Sequence, residues 1–334
     1  MMPKVLRIKQ TLVLPPTDKT ISAAARLIRR GGLVAFPTET VYGLGAAATE
    51  RRAVTRIFVA KGRPADNPLI VHVADLDQVK EVTSSLPGCA LELMRHFWPG
   101  PLSLVLPRSA ALPREVSAGL PTVAVRMPAH PVALSLIRAA GVPIAAPSAN
   151  RSGRPSPTEL RHVLEDLAGR IEAVIDGGSC RIGVESTVLD LSGSRPVILR
   201  PGGITKEQLE AALGTEIYEG RGEKASLSPA PGWQYRHYAP RAPLILITGP
   251  RARREAMIRA LASAYRRRGL KVGVLRASPG PAGVRQMAKD LFPALRRFDA
   301  QNVDLILAEG ISPQGLGNTV MNRLRQAAAR IIRV

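Results

Sequence analysis

Cysteine, aromatic residues and long apolar runs are all scarce in this chain of 334 residues. Its two cysteines, Cys89 and Cys180, cannot build a disulfide framework, and neither lies in a CxxC spacing typical of a metal site. The chain has no run of about 18 apolar residues, which argues against a membrane span. Its start, MMPKVLRIKQ, lacks the apolar stretch of a signal peptide. We therefore expect a reduced, cytoplasmic compartment and no membrane partner.

Acidic residues are also few compared with basic ones. The chain has 47 Lys and Arg against 26 Asp and Glu, a formal net charge of +21, which favours polyanionic partners such as nucleotides or RNA. From Arg241 onward, 18 basic residues stand against 5 acidic ones. The aromatic fraction of 4% argues against a surface that stacks many unpaired bases. Solvated basic faces would explain the same charge and stay open as the alternative.

The length and pattern of the chain predict two domains. A chain of 334 residues with 45% apolar residues exceeds what a single core usually holds. Short β-rich runs alternate with amphipathic helices over residues 1–214, and the alternation restarts over residues 243–334. Such alternation predicts parallel sheets of the doubly wound type. Residues 215–242 collect Gly, Pro, Ser and charge, which is typical of a linker.

Several well-known catalytic motifs are missing from the sequence. It has no GxxxxGK[ST] loop, no GxGxxG, no zinc cluster and no GxSxG elbow. Polar loops follow the predicted strands instead, and the ligands of open α/β sheets bind at the carboxyl ends of strands, so we expect these loops to converge. They carry cations and hydroxyls but few carboxylates. This composition favours the positioning of an anionic nucleophile and a phosphate chain over acid–base hydrolysis.

Lys61 and Arg63 flank a glycine directly after a predicted helix. Two cations in a stiff loop suit a polyphosphate, because Arg can bind it bidentately and Lys acts as a point charge. Compensation of the helix dipole explains the same cations without a ligand.

Arg126 and His72 lie on predicted strands. The strand period of two places Thr122 and Arg126 on one face, where a buried arginine is costly unless it meets an anion. A structural salt bridge is the alternative for Arg126. His72 shares a face with Ile70, and a core histidine whose hydrogen bonds are satisfied is the alternative there.

The segment PSANRSGRPSPT supplies Ser148, Asn150 and Ser156 on a stiff loop. Hydroxyls and backbone amides on such a loop suit phosphate or ribose. Capping of the next helix by Ser156 or Thr158 explains the same residues without a ligand.

Taken in order, these loops resemble the YrdC-like family of threonylcarbamoyl-AMP synthases in its long, two-domain form. The family's paired signature, KxR and SxN, stands here as Lys61-Gly62-Arg63 and Ser148-Ala149-Asn150. Further matches are PTETVYGLG, NPLIVH, WPGPL, VAVRMPAHP, PSPT, EST, LRPG, PGWQYRHYAP and GLGNTVMNRLRQAA. The resemblance implies an α/β fold with an open twisted mixed sheet in a catalytic domain (1–214), a linker or lid (215–242) and a smaller Rossmann-like parallel-sheet domain (243–334).

The resemblance also implies the site, residue by residue. The residues expected to bind L-threonine are Thr40, His72, Arg126, Ala146 through its backbone, and Ser186. The residues expected to bind ATP are Arg63, Asn67, Thr122, Ser148, Asn150, Ser156, Arg200 and Tyr235. Lys61 and Arg63 are the expected catalytic residues. We expect no metal site built by the protein, and Mg²⁺ carried mainly by the phosphates of ATP.

The activity implied is that of a nucleotidyltransferase that makes threonylcarbamoyl-AMP and pyrophosphate from threonine, bicarbonate and ATP, for a tRNA modification. The expected partners are the downstream tRNA threonylcarbamoyl transferase and, as a further candidate, tRNA itself.

Two other functions are the alternatives to this activity. A non-catalytic module for double-stranded RNA binding or ribosome maturation would explain the charge but not the polar loops. A hydrogenase-maturation carbamoyltransferase would need zinc fingers, which two cysteines cannot supply.

Overall fold

A computed structural model describes residues 10–220 and 238–334. The chain forms two compact units. The first comprises most of residues 10–220, and the second comprises residues 238–334 together with the short segments Gly153–Ser156 and Ile182–Val184. The predicted domain boundaries at 214 and 242 stay predictions.

The first unit alternates strands and helices along the chain. Its elements are β1 (Leu12–Leu14), α1 (Asp18–Arg29), β2 (Val34–Phe36), β3 (Gly43–Ala47), α2 (Arg51–Lys61), β4 (Ile70–His72), α3 (Leu76–Val82), α4 (Gly88–Phe97), β5 (Leu102–Pro107), β6 (Thr122–Arg126), α5 (Pro131–Ala140), β7 (Ile144–Ala145), α6 (Leu160–Leu167), β8 (Ala173–Ile175), β9 (Thr187–Asp190), β10 (Val197–Arg200), α7 (Lys206–Leu213) and β11 (Tyr218–Glu219).

These strands form one mixed sheet of 11 strands, in the order β1-β8-β2-β3-β7-β4-β6-β5-β9-β10-β11. β4 pairs with β6 in parallel and with β7 in antiparallel orientation. The mixed sheet expected from the resemblance is therefore confirmed. The purely parallel sheet that the alternation predicts is wrong for this unit, because β3 and β5 pair antiparallel with β2 and β6.

Burial of apolar side chains on both faces of the sheet holds this unit together. One cluster packs α1 and α5 against the sheet through residues such as Ile28 and Leu136. A larger cluster covers the other face and includes Ile57 of α2 and Val123 and Val125 of β6. The two valines lie on the face opposite Thr122 and Arg126, as the strand period predicts.

The segment TKEQLEAALG predicts a helix with a capping box, formed by Thr205 and by Gln208 three residues later, and an end at Gly214. Helix α7 has both features. Thr205 accepts a hydrogen bond from the backbone N–H of Gln208, and the Gln208 side chain accepts one from the Thr205 backbone N–H, which is the predicted capping box. The helix ends at Gly214, whose φ of 61° is left-handed and costs glycine little.

The second unit contains a smaller parallel sheet. Its elements are β12 (Leu244–Thr248), α8 (Arg251–Arg267), β13 (Val272–Leu275), α9 (Gly280–Ala300), β14 (Leu305–Glu309), α10 (Leu316–Ala327) and β15 (Arg330–Arg333). The strand order is β13-β14-β12-β15, with all pairs parallel, so the expected second domain is confirmed. Across residues 10–220 and 238–334, no helix has the length and apolar character needed to cross a membrane.

Candidate active site

The two halves of the KxR and SxN signature meet through Lys61. This residue ends α2, and Gly62 follows it in a left-handed conformation with φ of 62°. The Lys61 side chain is 2% exposed, and its ammonium donates to the backbone carbonyls of Ser148 and Asn150, the latter at 2.5 Å. The backbone N–H of Ser152 donates a hydrogen bond to the Lys61 carbonyl at 2.9 Å. Because a buried ammonium needs oxygen acceptors, this contact fixes the two loops to each other.

Arg63 is held by its own loop. Its Nη2 donates to the Asn67 side-chain oxygen at 2.6 Å and to the Pro68 carbonyl at 2.8 Å, and its Nε donates to the Asn67 carbonyl at 3.1 Å. The side chain stays partly exposed. The structure therefore joins two predicted ATP ligands, Arg63 and Asn67, in one preorganised group.

The turn between β2 and β3 contributes Thr40. The hydroxyl of Thr38 accepts from the backbone N–H groups of Thr40 and Val41, at 3.1 and 3.2 Å, and so closes the turn. The Thr40 hydroxyl then accepts from Nη1 of Arg126 at 3.0 Å. Two residues predicted to bind threonine are thus in direct contact.

Arg126 is buried at the end of β6, and each of its nitrogens faces an oxygen. Its Nε donates to the Gly100 carbonyl at 3.1 Å, and its Nη2 lies 2.6 Å from a carboxylate oxygen of Glu39. Although that distance is short, neither carboxylate oxygen nor Nη2 is aligned for a hydrogen bond within the described residues. The structural salt bridge that was the alternative for Arg126 is therefore present. Glu39 was not singled out from the sequence, although it is a carboxylate in a set of loops that has few.

His72 lies at the end of β4, in register with Arg126 on β6. Its ring meets Phe36 edge-on at 6.1 Å between centroids, and Nδ1 has no hydrogen-bond partner in the described part of the chain. Burial, followed by the positive charge of Arg126, lowers the pKa of His72 to about 3. The imidazole is therefore neutral near pH 7. Backbone hydrogen bonds with Ile70 and Ile144 also act on the imidazole, so the alternative of a core histidine stays open.

Ser186 and Arg200 are in direct contact. Arg200 donates from Nη2 to the Ser186 carbonyl at 2.9 Å, and the Ser186 hydroxyl lies 2.8 Å from the hydroxyl of Ser103. The pairing of β9 with β10 shifts register between Ile198 and Arg200, which marks a bulge. Bulges redirect side chains at the ends of strands, and this one falls at the start of the LRPGG segment.

Close backbone approach fixes that loop. A Cβ added at Gly202 would lie 2.1 Å from the backbone nitrogen of Thr187 and 2.2 Å from the backbone carbon of Ser186. The EST and LRPGG motifs therefore need each other, since only glycine fits between them.

The structure also gives the positions of three further residues that are predicted to bind threonine or ATP. Thr122 is buried at the start of β6, Ala146 donates its backbone N–H to the Ile70 carbonyl at 2.9 Å, and Ser156 is fully buried in the segment Gly153–Ser156. Tyr235 lies outside the described residues.

Helix capping does not explain Ser156 or Thr158. Helix α6 begins after Glu159, and no side chain caps it. That alternative is therefore wrong.

Comparison with known proteins agrees with this geometry. Residues 26–202 match a family model described as telomere recombination, and residues 204–329 match the threonylcarbamoyl-AMP synthase C-terminal domain. The threonylcarbamoyl-AMP synthase of Pyrococcus abyssi is 52% identical, over 94% of this chain and 96% of that protein. The chain belongs to the threonylcarbamoyl-AMP synthase family.

Further relatives cover nearly the whole chain as well. The threonylcarbamoyl-AMP synthase of Bacillus subtilis is 49% identical, over 96% of both proteins. The crystal structure of Pyrococcus abyssi Sua5 complexed with L-threonine superposes with a TM-score of 0.91 at 50% identity, covering 97% of this chain and 100% of that one. The two-domain form expected from the motifs is therefore confirmed.

We expect His72→Gln to flatten the pH dependence of stability. Because the folded-state pKa of about 3 lies below the ordinary 6.5, protonation favours the unfolded chain. The free energy of unfolding should therefore fall as the pH drops from 6.5, by up to about 1.4 kcal/mol per pH unit. Urea unfolding of wild type and variant at pH 5 and pH 7 measures the difference. Equal pH dependence in both proteins would contradict the neutral, buried imidazole.

We expect Gly202→Ala to destabilise the protein, because the new methyl group would meet backbone atoms that cannot rotate away. Overpacking of this kind typically costs about 1–3 kcal/mol. Gly193→Ala is the matched control, since no heavy atom lies within 4 Å of a Cβ there. Thermal unfolding should separate the two variants, and equal melting temperatures would show that the loops can move apart.

Proposed function

We propose that this chain makes L-threonylcarbamoyl-AMP and pyrophosphate from L-threonine, bicarbonate and ATP, as a nucleotidyltransferase acting in the cytoplasm for tRNA modification. One observation carries the proposal: Lys61, Arg126 and Arg200 each join two signature loops of the family, through the Asn150 carbonyl, the Thr40 hydroxyl and the Ser186 carbonyl, and so form a network of loop contacts made by cations. Relatives of that name match over nearly the full length. A non-catalytic RNA-binding module has no use for such a network and is not supported.

The chemistry requires alignment more than a catalytic nucleophile. The neutral amine of threonine combines with bicarbonate to give a carbamate and water, and a carbamate oxygen then attacks the α-phosphorus of ATP as pyrophosphate leaves. The attacking group is already anionic, so no serine or cysteine nucleophile is needed. Lys61, Arg63 and Arg200 bring positive charge to the phosphates, and Arg126 faces the threonine carboxylate. These individual roles are part of the proposal.

Mg²⁺ would arrive with ATP. The site offers lysine and arginine side chains, which match phosphate oxygens, and the described ranges place no three His, Cys, Asp or Glu side chains together as a metal site. Magnesium commonly keeps waters and bridges substrate phosphates, so the proposal treats Mg·ATP as the substrate.

The linker at residues 215–242 would act as a lid. Tyr235 within it is predicted to touch ATP, and a cover over the site would keep water from the carbamate and from the mixed anhydride. Residues 221–237 lie outside the described part of the chain, so this role stays a prediction.

The decisive experiment measures pyrophosphate release. Release should require both threonine and bicarbonate, and mass spectrometry should find threonylcarbamoyl-AMP among the products.

Arg63→Ala should slow release by about 10²–10³, the usual cost of removing one donor that stabilises the transition state. Its melting temperature serves as the control for folding. Release that is independent of threonine would overturn the function, and normal turnover by a less stable Arg63→Ala enzyme would make Arg63 structural.

The tRNA partner has a candidate surface on the second unit. A groove of about 890 Å³ runs between α8 and β13, which is an edge strand of its sheet. Its lining includes Arg259, Arg266, Arg267 and Arg276 but no acidic side chain. Arginines with exposed guanidinium groups suit successive phosphates of an RNA backbone.

We expect the double variant Arg259→Glu/Arg266→Glu to weaken tRNA binding and to reduce the slope of log K against log salt by roughly 2, because each arginine would neutralise one phosphate. The matched control is Arg253→Glu/Arg268→Glu, which makes the same charge change at exposed residues of the same region outside the groove lining. Filter binding at several salt concentrations measures both. Equal weakening by the two double variants would mean that net charge, and not the groove, attracts RNA.

A further inference from the structure

Glu39 is a buried carboxylate to which the proposed reaction assigns no role. Its side chain is 2% exposed, in a turn where Thr38 and Thr40 are equally buried. The Thr38 hydroxyl closes this turn through the Val41 backbone, with hydrogen bonds of 3.2 Å to the N–H and 2.6 Å to the carbonyl. The turn therefore holds Glu39 firmly in place beside Arg126.

The contact between Glu39 and Arg126 is electrostatically strong but leaves hydrogen-bonding capacity unused. One carboxylate oxygen lies 2.6 Å from Nη2, yet within the described residues neither oxygen accepts an aligned hydrogen bond. An ionised carboxylate has about four acceptor positions, and burying it without hydrogen bonds is costly. Such a group has room for a donor that arrives with a ligand.

Within the described residues, none of the titratable groups nearby donates an aligned hydrogen bond to Glu39, and none of the three below carries a positive charge for it. His130, at the start of α5, senses the charge of Glu39, and burial lowers the pKa of its imidazole. Burial raises the pKa of the Cys180 thiol to about 12, so this neighbour stays uncharged near pH 7. His72 faces Arg126 and is neutral as well.

An amino acid is a zwitterion, and the Arg126–Glu39 pair is its electrostatic complement. On the proposed function, Arg126 meets the carboxylate of threonine. The ammonium lies one carbon away from that carboxylate, so it can reach the carboxylate of Glu39 that flanks the guanidinium. We infer that Glu39 binds the ammonium of threonine and so makes the site selective for an α-amino acid over an α-hydroxy acid.

This arrangement also orients the atom that reacts later. A charge-assisted hydrogen bond to a carboxylate has defined geometry, and it would direct the nitrogen of threonine from one fixed side. The ammonium must then lose a proton to solvent before the neutral amine combines with bicarbonate. Glu39 would then act by contact with the substrate and not only by holding Arg126.

The test compares two ligands that differ in the group Glu39 would contact. Calorimetry without ATP measures the binding of L-threonine and of 2,3-dihydroxybutanoate, in which a hydroxyl replaces the ammonium. Wild-type protein should bind threonine at least about tenfold more tightly. Glu39→Gln should weaken threonine binding by about ten- to a hundredfold, the range for a hydrogen bond to a charged group, and change analogue binding by less than about threefold. Equal weakening of both ligands would mean that Glu39 only positions Arg126.

Two further variants are needed, one as a matched control and one in case Glu39→Gln does not fold. Glu172→Gln makes the same substitution in the Arg56–Glu172 ion pair of the same unit and should leave the preference for threonine unchanged. Glu39→Asp keeps a negative charge for Arg126 but retracts the carboxylate, so it should fold and should lose part of the preference, even where Glu39→Gln does not fold. An undiminished preference in Glu39→Asp would overturn the inference. Failure of wild type to bind either ligand would instead overturn the proposed function.

Discussion

The buried ammonium of Lys61 is the contact on which the rest of the site depends. It connects the end of α2 to backbone carbonyls 87 and 89 residues further along the chain. Removing an ammonium from water is expensive, and several carbonyl oxygens at short range offset that cost. Once Lys61 is in place, Arg63 on one side of it and Ser148 on the other have fixed positions. The paired signature of the family is therefore one structural unit with two halves.

The way each cation is held matches its proposed task. Lys61, Arg63 and Arg200 are positioned by hydrogen bonds to carbonyl and amide oxygens, which orient a cation without cancelling its charge. That charge is what a triphosphate requires. Arg126 is positioned beside the carboxylate of Glu39, so the pair is close to neutral overall. A neutral but strongly polar pair suits a zwitterion, whereas an isolated buried arginine would favour a simple anion.

Sequence patterns predict this protein well where the cause is local. The capping box at Thr205 and the left-handed Gly214 depend on neighbouring residues, and both appear as predicted. Strand β3 could not be predicted from the sequence, because GLGAA lacks the branched side chains typical of strands. Packing against other strands requires glycine here, since a Cβ at Gly45 would lie 2.8 Å from side-chain atoms of Phe36 and Ile144.

The features of the candidate site also divide into those that local sequence predicts and those that depend on distant contacts. The face shared by Thr122 and Arg126 follows from the strand period, and the family resemblance supplied the residues that could bind ligands. The partner of Arg126 could not be predicted from spacing, because Glu39 reaches it only when the turn after β2 approaches the end of β6. Likewise, the residues next to Lys61 in the sequence do not indicate that its side chain faces the backbone carbonyls of Ser148 and Asn150. Contacts between distant loops are set by the whole sheet, and the sequence carries no short-range signal for them.

Burial differs among the residues of the candidate site. Thr40, His72 and Arg126, which are predicted to bind threonine, are at most 3% exposed. Arg63 and Arg200, which are predicted to bind ATP, remain partly exposed, whereas Lys61, which the proposal also places near the phosphates, is 2% exposed. A carbamate breaks down in water, so the amino acid and its adduct need the deeper position, while ATP must enter and pyrophosphate must leave. Cations near the opening can release a charged product into solvent, where screening weakens their hold.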